Sequence, residues 1–145
     1  AERALLRALN QAGVQYMIAG LGAAAPQGAN TATEDVDLWF ESTADPRIGQ
    51  AVNALGGIWI SGSFGMMRPR IAGSAVGDRF DVVTHMHGLG TFTDELPNTT
   101  QLEIDGIPLR VLKLERIIAS KQAAGPKKDL AVIPALEEAL AALRG

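Results

Sequence analysis

The chain has 145 residues, 47% of them hydrophobic and 20% charged, a composition that fits one soluble globular domain (1–145) with a real core and excludes a disordered chain. A net charge of −3 and pI near 5.3 leave no strong footprint for a long nucleic-acid polymer, and zero cysteines exclude disulfides and thiolate metal sites. The apolar stretches are short and broken by Gly, Pro or charge, so no membrane span is expected; no signal peptide opens the chain, and Ala1 suggests a trimmed N-terminus.

In chain order, Leu5, Leu6 and Leu9 recur at helical spacing within Glu2–Ala12, with Gly13 as the stop. Val14–Ala19 reads as a strand, followed by a small-residue turn and short helix over Gly20–Gly28 in which Pro26 limits the helix to about its first turn. Asp35–Glu41 is the second strand. Asp45 and Pro46 predict a capped helix to about Leu55. Ile58–Ile60 and Met66–Ala72 read as strands, the latter at an edge because of Pro69. Asp78–His85 is a stronger strand, and Gly88–Pro97 reads as loop. Gln101–Asp105 and Ile107–Leu112 form a hairpin around Asp105-Gly106. Leu114, Ile117, Ile118 and Lys121 share a helical face; Gly125-Pro126 stops that helix, and Pro134 is expected to open the last one, packed through Leu136, Leu140 and Leu143. The sum is an α/β (α+β) domain with a mixed β-sheet flanked by helices and with C-terminal helices.

The chemistry concentrates in Thr33-Glu34-Asp35-Val36-Asp37-Leu38-Trp39-Phe40. Alternation along a strand points Asp35 and Asp37 to one face while Val36, Leu38 and Phe40 face a core. Two like charges so close raise each other's pKa unless a cation sits between them. Hard oxygen ligands of this kind suit Mg²⁺ (or Mn²⁺), which also holds nucleotide phosphates. Asp81 on a later strand would supply a third carboxylate, and the Gly20–Gly22 turn offers bare backbone N–H groups to phosphate oxygens.

With that ordered combination, the chain resembles the minimal nucleotidyltransferase superfamily, small domains built like the catalytic core of polymerase β. The resemblance is strongest to the bacterial group of AbiEii-type toxins and stand-alone nucleotidyltransferase-like proteins. It rests on the opening strand and glycine turn of Val14–Gly28, the Asp35–Asp37 strand, Arg79-Phe80-Asp81-Val82-Val83, and a tail from Ile104 to Leu130. The resemblance implies a nucleotidyltransferase fold and Mg²⁺-dependent transfer of a nucleoside monophosphate from an NTP. The acceptor (tRNA, protein or small molecule) is left open. It also implies a toxin-type role and a cytoplasmic setting, with a partner protein or homodimer completing acceptor recognition.

In that frame Asp35, Asp37 and Asp81 bind metal, with Asp81 helping to activate the acceptor and Lys121 neutralising phosphate charge. Gly20, Leu21, Gly22, Thr33, Lys128 and Asp129 would contact substrate. Three departures stand out: Leu21 falls where relatives carry a second small residue, Pro26 breaks the helix after about its first turn, and Thr31 stands where many carry an arginine. They favour an alternative, a degenerate member that binds nucleotide or a partner without turnover.

Two further readings come from other residues. His85 and His87, an H-x-H pair near Asp81, suit zinc and a hydrolytic site. Trp39 shares the face of the acids and could stack on a base, although core packing is the more ordinary role for it and for Trp59.

Overall fold

In the computed structural model the description covers residues 2–31, 35–62, 67–73, 75–125 and 127–145, with backbone alone at 2, 76 and 127–129. Five strands form one sheet in the order β5-β2-β1-β7-β6: β1 Tyr16–Ala19, β2 Val36–Phe40, β5 Phe80–Val83, β6 Thr99–Ile104 and β7 Ile107–Leu112. β1 runs antiparallel to β2 and parallel to β7, and β2 runs parallel to β5, so the sheet is mixed as expected. All four residues of β1 are buried, which a central strand covered on both faces requires.

Helix α1 (Glu2–Gln11) packs on β7 and on α3 (Pro46–Ala54), burying Leu5 and Leu9 completely. Each such leucine contributes about 2 kcal/mol by leaving water. Asp45 caps α3 by accepting a hydrogen bond from the Arg47 backbone N–H at 2.9 Å, and Pro46 follows as the first helical residue. The glycine turn opens α2 (Gly20–Ala24), and Pro26 converts the chain into a single 3₁₀ turn, Ala25–Gln27. Gln27 Nε2 then donates to the carbonyls of Ala23 (2.9 Å) and Leu112 (2.8 Å), pinning this turn to the end of β7. α5 (Leu114–Ala124) packs against α2 and against α6 (Lys127–Arg144). The hairpin turn has Asp105 and Gly106 both at positive φ, +52° and +80°, the pairing a two-residue turn between twisted strands demands.

Four expectations need correction. The segment expected as loop before β6 holds a short helix, α4 (Phe92–Glu95), and a 3₁₀ turn, Leu96–Asn98. A reciprocal cap forms it: Thr91 Oγ1 accepts from Asp94 N at 3.2 Å and Asp94 Oδ2 accepts from Thr91 N at 2.9 Å. Pro134 lies inside α6 rather than opening it. It deprives the Leu130 carbonyl of a partner, at a position where the residue is 44% exposed and water can serve instead. Leu143, expected to pack, is 62% exposed in the last turn. The region expected as an edge strand to Ala72 reduces to β4 (Arg70–Ala72), paired with β3 (Ile58–Ile60) as a separate two-stranded sheet; Pro69 precedes it, and Met66 lies outside the described residues.

Candidate active site at the ends of β1, β2 and β5

Parallel in-register pairing decides which carboxylates meet. Asp37 pairs with Asp81 across β2 and β5 and with Ala19 across β2 and β1. Partners at the same level of adjacent strands project from the same face, so Asp37 and Asp81 share it. Asp35, two residues earlier, raises the pKa of both. Asp37 is half-buried, and burial pushes its pKa up to about 6; Asp81 and Asp35 push the same way, while Lys121 on α5 opposes them. Asp81 is also raised, first by burial and then by Asp35. Lys121 thus lies close enough to Asp37 to favour its charged form.

Gly20 is the hinge of the site. Its φ of +61° lies in the left-handed region, and a Cβ there would strike the Asp37 carboxylate. Gly22 does a different job: a Cβ on it would come within 3.3 Å of Val36 Cα, so its bareness lets α2 lie on β2. Leu21 between them is half-buried and packs against the core.

A cleft of about 380 Å³ opens beside Asp37, lined also by Arg68, His85, His87, Ser120 and Lys121. Arg68 carries no sequence signal that ties it to the acids, and only folding brings it there, whereas Ser120 belongs with Lys121 to the tail of the resemblance. His85 and His87 stand in the loop after β5, not on the strand, with ring centres 5.9 Å apart. Among the described residues no three His, Cys, Asp or Glu side chains form a group that could hold a metal ion, so the His85–His87–Asp81 zinc triad is not formed. The same holds for Asp35, Asp37 and Asp81, which are electrostatically coupled without being drawn into a closed ligand cage. Trp39 is 1% exposed and meets Phe92 edge-on at 6.1 Å, so it cannot stack on a base. Although it shares the acids' side of β2, α4 covers it. Trp59 packs edge-on against Phe40 at 5.6 Å. Thr33 and the side chains of Lys128 and Asp129 lie outside the described residues.

The mixed sheet, its flanking helices and the acids on neighbouring strands define a nucleotidyltransferase fold. Solved structures of similar form bear this out. The structure of ANT(2″)-Ia in complex with adenylyl-2″-tobramycin superimposes with a TM-score of 0.63 at 19% identity, over 98% of this chain and 88% of that one. The solution structure of the antibiotic-resistance factor ANT(2″)-Ia gives 0.53 at 18% identity, over 98% and 92%. An antigenic nucleotidyltransferase-like protein from Paracoccidioides brasiliensis gives 0.55 at 18%, over 91% and 71%. No protein-family model matches the chain, and no curated protein sequence matches it. At these identities the likeness is one of fold.

Proposed function

We propose that this protein transfers a nucleoside monophosphate from an NTP to an acceptor oxygen. The observation that carries the reading is the in-register pair Asp37 and Asp81 beside the left-handed Gly20. Carboxylates whose ionisation is opposed by burial and by one another are a donor set that a hard cation would relieve, and Mg²⁺ or Mn²⁺ would have to draw them together from the open arrangement they have here. Asp35 and Asp37, with Asp81, would hold it, and the ion would neutralise charge on the triphosphate during in-line displacement.

The chain's own groups supply the rest. Asp81, exposed and with a raised pKa, accepts the proton of an acceptor hydroxyl. The acceptor oxygen bonds to the α-phosphorus, the bond to pyrophosphate breaks, and pyrophosphate leaves. Lys121 offsets the charge of the phosphates, and the Gly20 turn lets backbone approach them.

The acceptor is a protein, a tRNA or a small molecule; ANT(2″)-Ia, seen with adenylyl-2″-tobramycin, offers a precedent for the last. A toxin-type role and a cytoplasmic setting rest on the sequence resemblance, and no helix among the described residues is long and apolar enough to cross a membrane. The replaced residues Leu21 and Thr31 support a second reading, a nucleotide-binding or partner subunit without turnover. Titration calorimetry with Mg²⁺ and each NTP, repeated on Asp35→Ala and Asp37→Asn, tests the site. Labelled NTP incubated with cell extract then separates the readings: label transferred to product supports the enzyme, and binding without transfer supports the subunit.

A further inference from the structure

The chain has two histidines in all, and both line the cleft that holds Asp37. Their rings stand nearly perpendicular, at 77°, and both residues are exposed. Arg68, from the segment ahead of β4, lines the same cleft. Among the described lining residues Asp37 is the one carboxylate; Arg68, His85, His87 and Lys121 are all nitrogen donors. With Asp37 assigned to metal and Lys121 to the nucleotide, a wall of three remains unused. His85 and His87 follow β5, the strand on which Asp81 stands level with Asp37, the carboxylate that lines this cleft.

We propose that Arg68, His85 and His87 bind a phosphate group of the acceptor, so that the acceptor is a small phosphomonoester whose hydroxyl is presented to Asp81. This rests on the transferase reading and names its substrate class. The guanidinium matches phosphate oxygens in charge and fork geometry, and imidazole N–H groups add donors. The cleft has the size of a small-ligand pocket, not of a polymer groove, and the net charge of −3 favours no long polyanion. A polyamine acceptor would face Arg68 without a carboxylate to pair with, since Asp37 is committed. The neighbouring depression, which shares His85, does carry Glu41 and Asp94. Asp94, however, is engaged in capping Thr91, and Asp37 does not line that depression.

The two imidazoles are their own reporters. Their NMR signals are followed at fixed pH in the full chain loaded with Mg²⁺ and α,β-methylene-ATP, while glycerol 3-phosphate is added, with glycerol and spermidine as controls. Saturable shifts are expected with glycerol 3-phosphate alone, weakened about fivefold or more by Arg68→Ala and partly restored by Arg68→Lys. Arg68 is exposed, so its replacement leaves the fold intact. Absence of saturable shifts, shifts indifferent to Arg68→Ala, or a response to spermidine overturns the proposal. Competition between glycerol 3-phosphate and the nucleotide analogue overturns it as well, assigning the wall to the triphosphate. Should the analogue itself not bind, the transferase reading fails, and the same titration without nucleotide still decides whether the wall takes phosphate.

Discussion

Glu95 and Asp37 are both drawn away from water, and they are treated in opposite ways. Glu95, 3% exposed, accepts from Arg116 Nε (2.7 Å) and Nη2 (2.8 Å), from Gly90 N (2.9 Å) and from Asn98 Nδ2 (3.2 Å). The Arg116 guanidinium leads these in holding its carboxyl down at about 2. Asp37 is driven the other way, to about 6, by burial and by two more carboxylates. A fold that can satisfy a buried acid so fully at α4 leaves another in conflict at the end of β2. Glu95 is a structural joint between α4 and α5, and Asp37 is a group whose anion Lys121 only partly offsets and a bound cation would stabilise further.

The largest effect that would break this contrast is on turnover. Asp37→Asn is expected to lower nucleotidyl transfer about a thousandfold, roughly 4 kcal/mol of barrier, while Glu95→Gln leaves NTP affinity within about twofold. Equal losses in both, measured by labelled-nucleotide transfer, would mean the two acids are not different in kind.

Stability should reverse the order. Glu95→Ala strands the half-exposed Arg116 and is expected to cost about 2–3 kcal/mol in urea unfolding, whereas Asp37→Asn in EDTA should stabilise by about 1 kcal/mol by removing a disfavoured anion. The rise in melting temperature that Mg²⁺ produces in the parent chain should vanish in Asp37→Asn.

The pH dependence sharpens the contrast further. Because Glu95's folded pKa lies below its ordinary 4.5, its stabilisation is present above that value and is lost as pH falls toward about 2. Acid unfolding followed by circular dichroism should therefore begin at higher pH in an Arg116→Met chain, whose Glu95 has lost its leading partner. The smallest effect belongs to neither region: Asp45→Ala should cost about 1 kcal/mol through its lost cap on α3 and leave Mg²⁺ binding untouched.

Much of the fold was legible in residue order because local rules spoke clearly. Asp45-Pro46 starts α3, Asp105-Gly106 turns the hairpin, and the leucines of α1 fall at helical spacing. The misreadings came where one local signal hid another. Gly88–Pro97 is dense in loop residues, yet Thr91 and Asp94 stand three apart and cap each other. Pro134 looked like a helix start, but tertiary packing of α6 on α5 carries the helix through it. The acids were legible as a pattern on one strand; the clearance at Gly20, the burial of Trp39 and the arrival of Arg68 were not.

Composition and alternation alone determined a mixed α/β chain with Asp37 on a strand and Asp35 immediately before it, since side-chain direction along a strand follows from covalent geometry. Which third carboxylate stands level with Asp37, which lysine opposes it and which donors line the cleft were decided by strand register and helix docking. Register is a property of pairing between segments about forty residues apart, and it is set by how all the strands fill one core together.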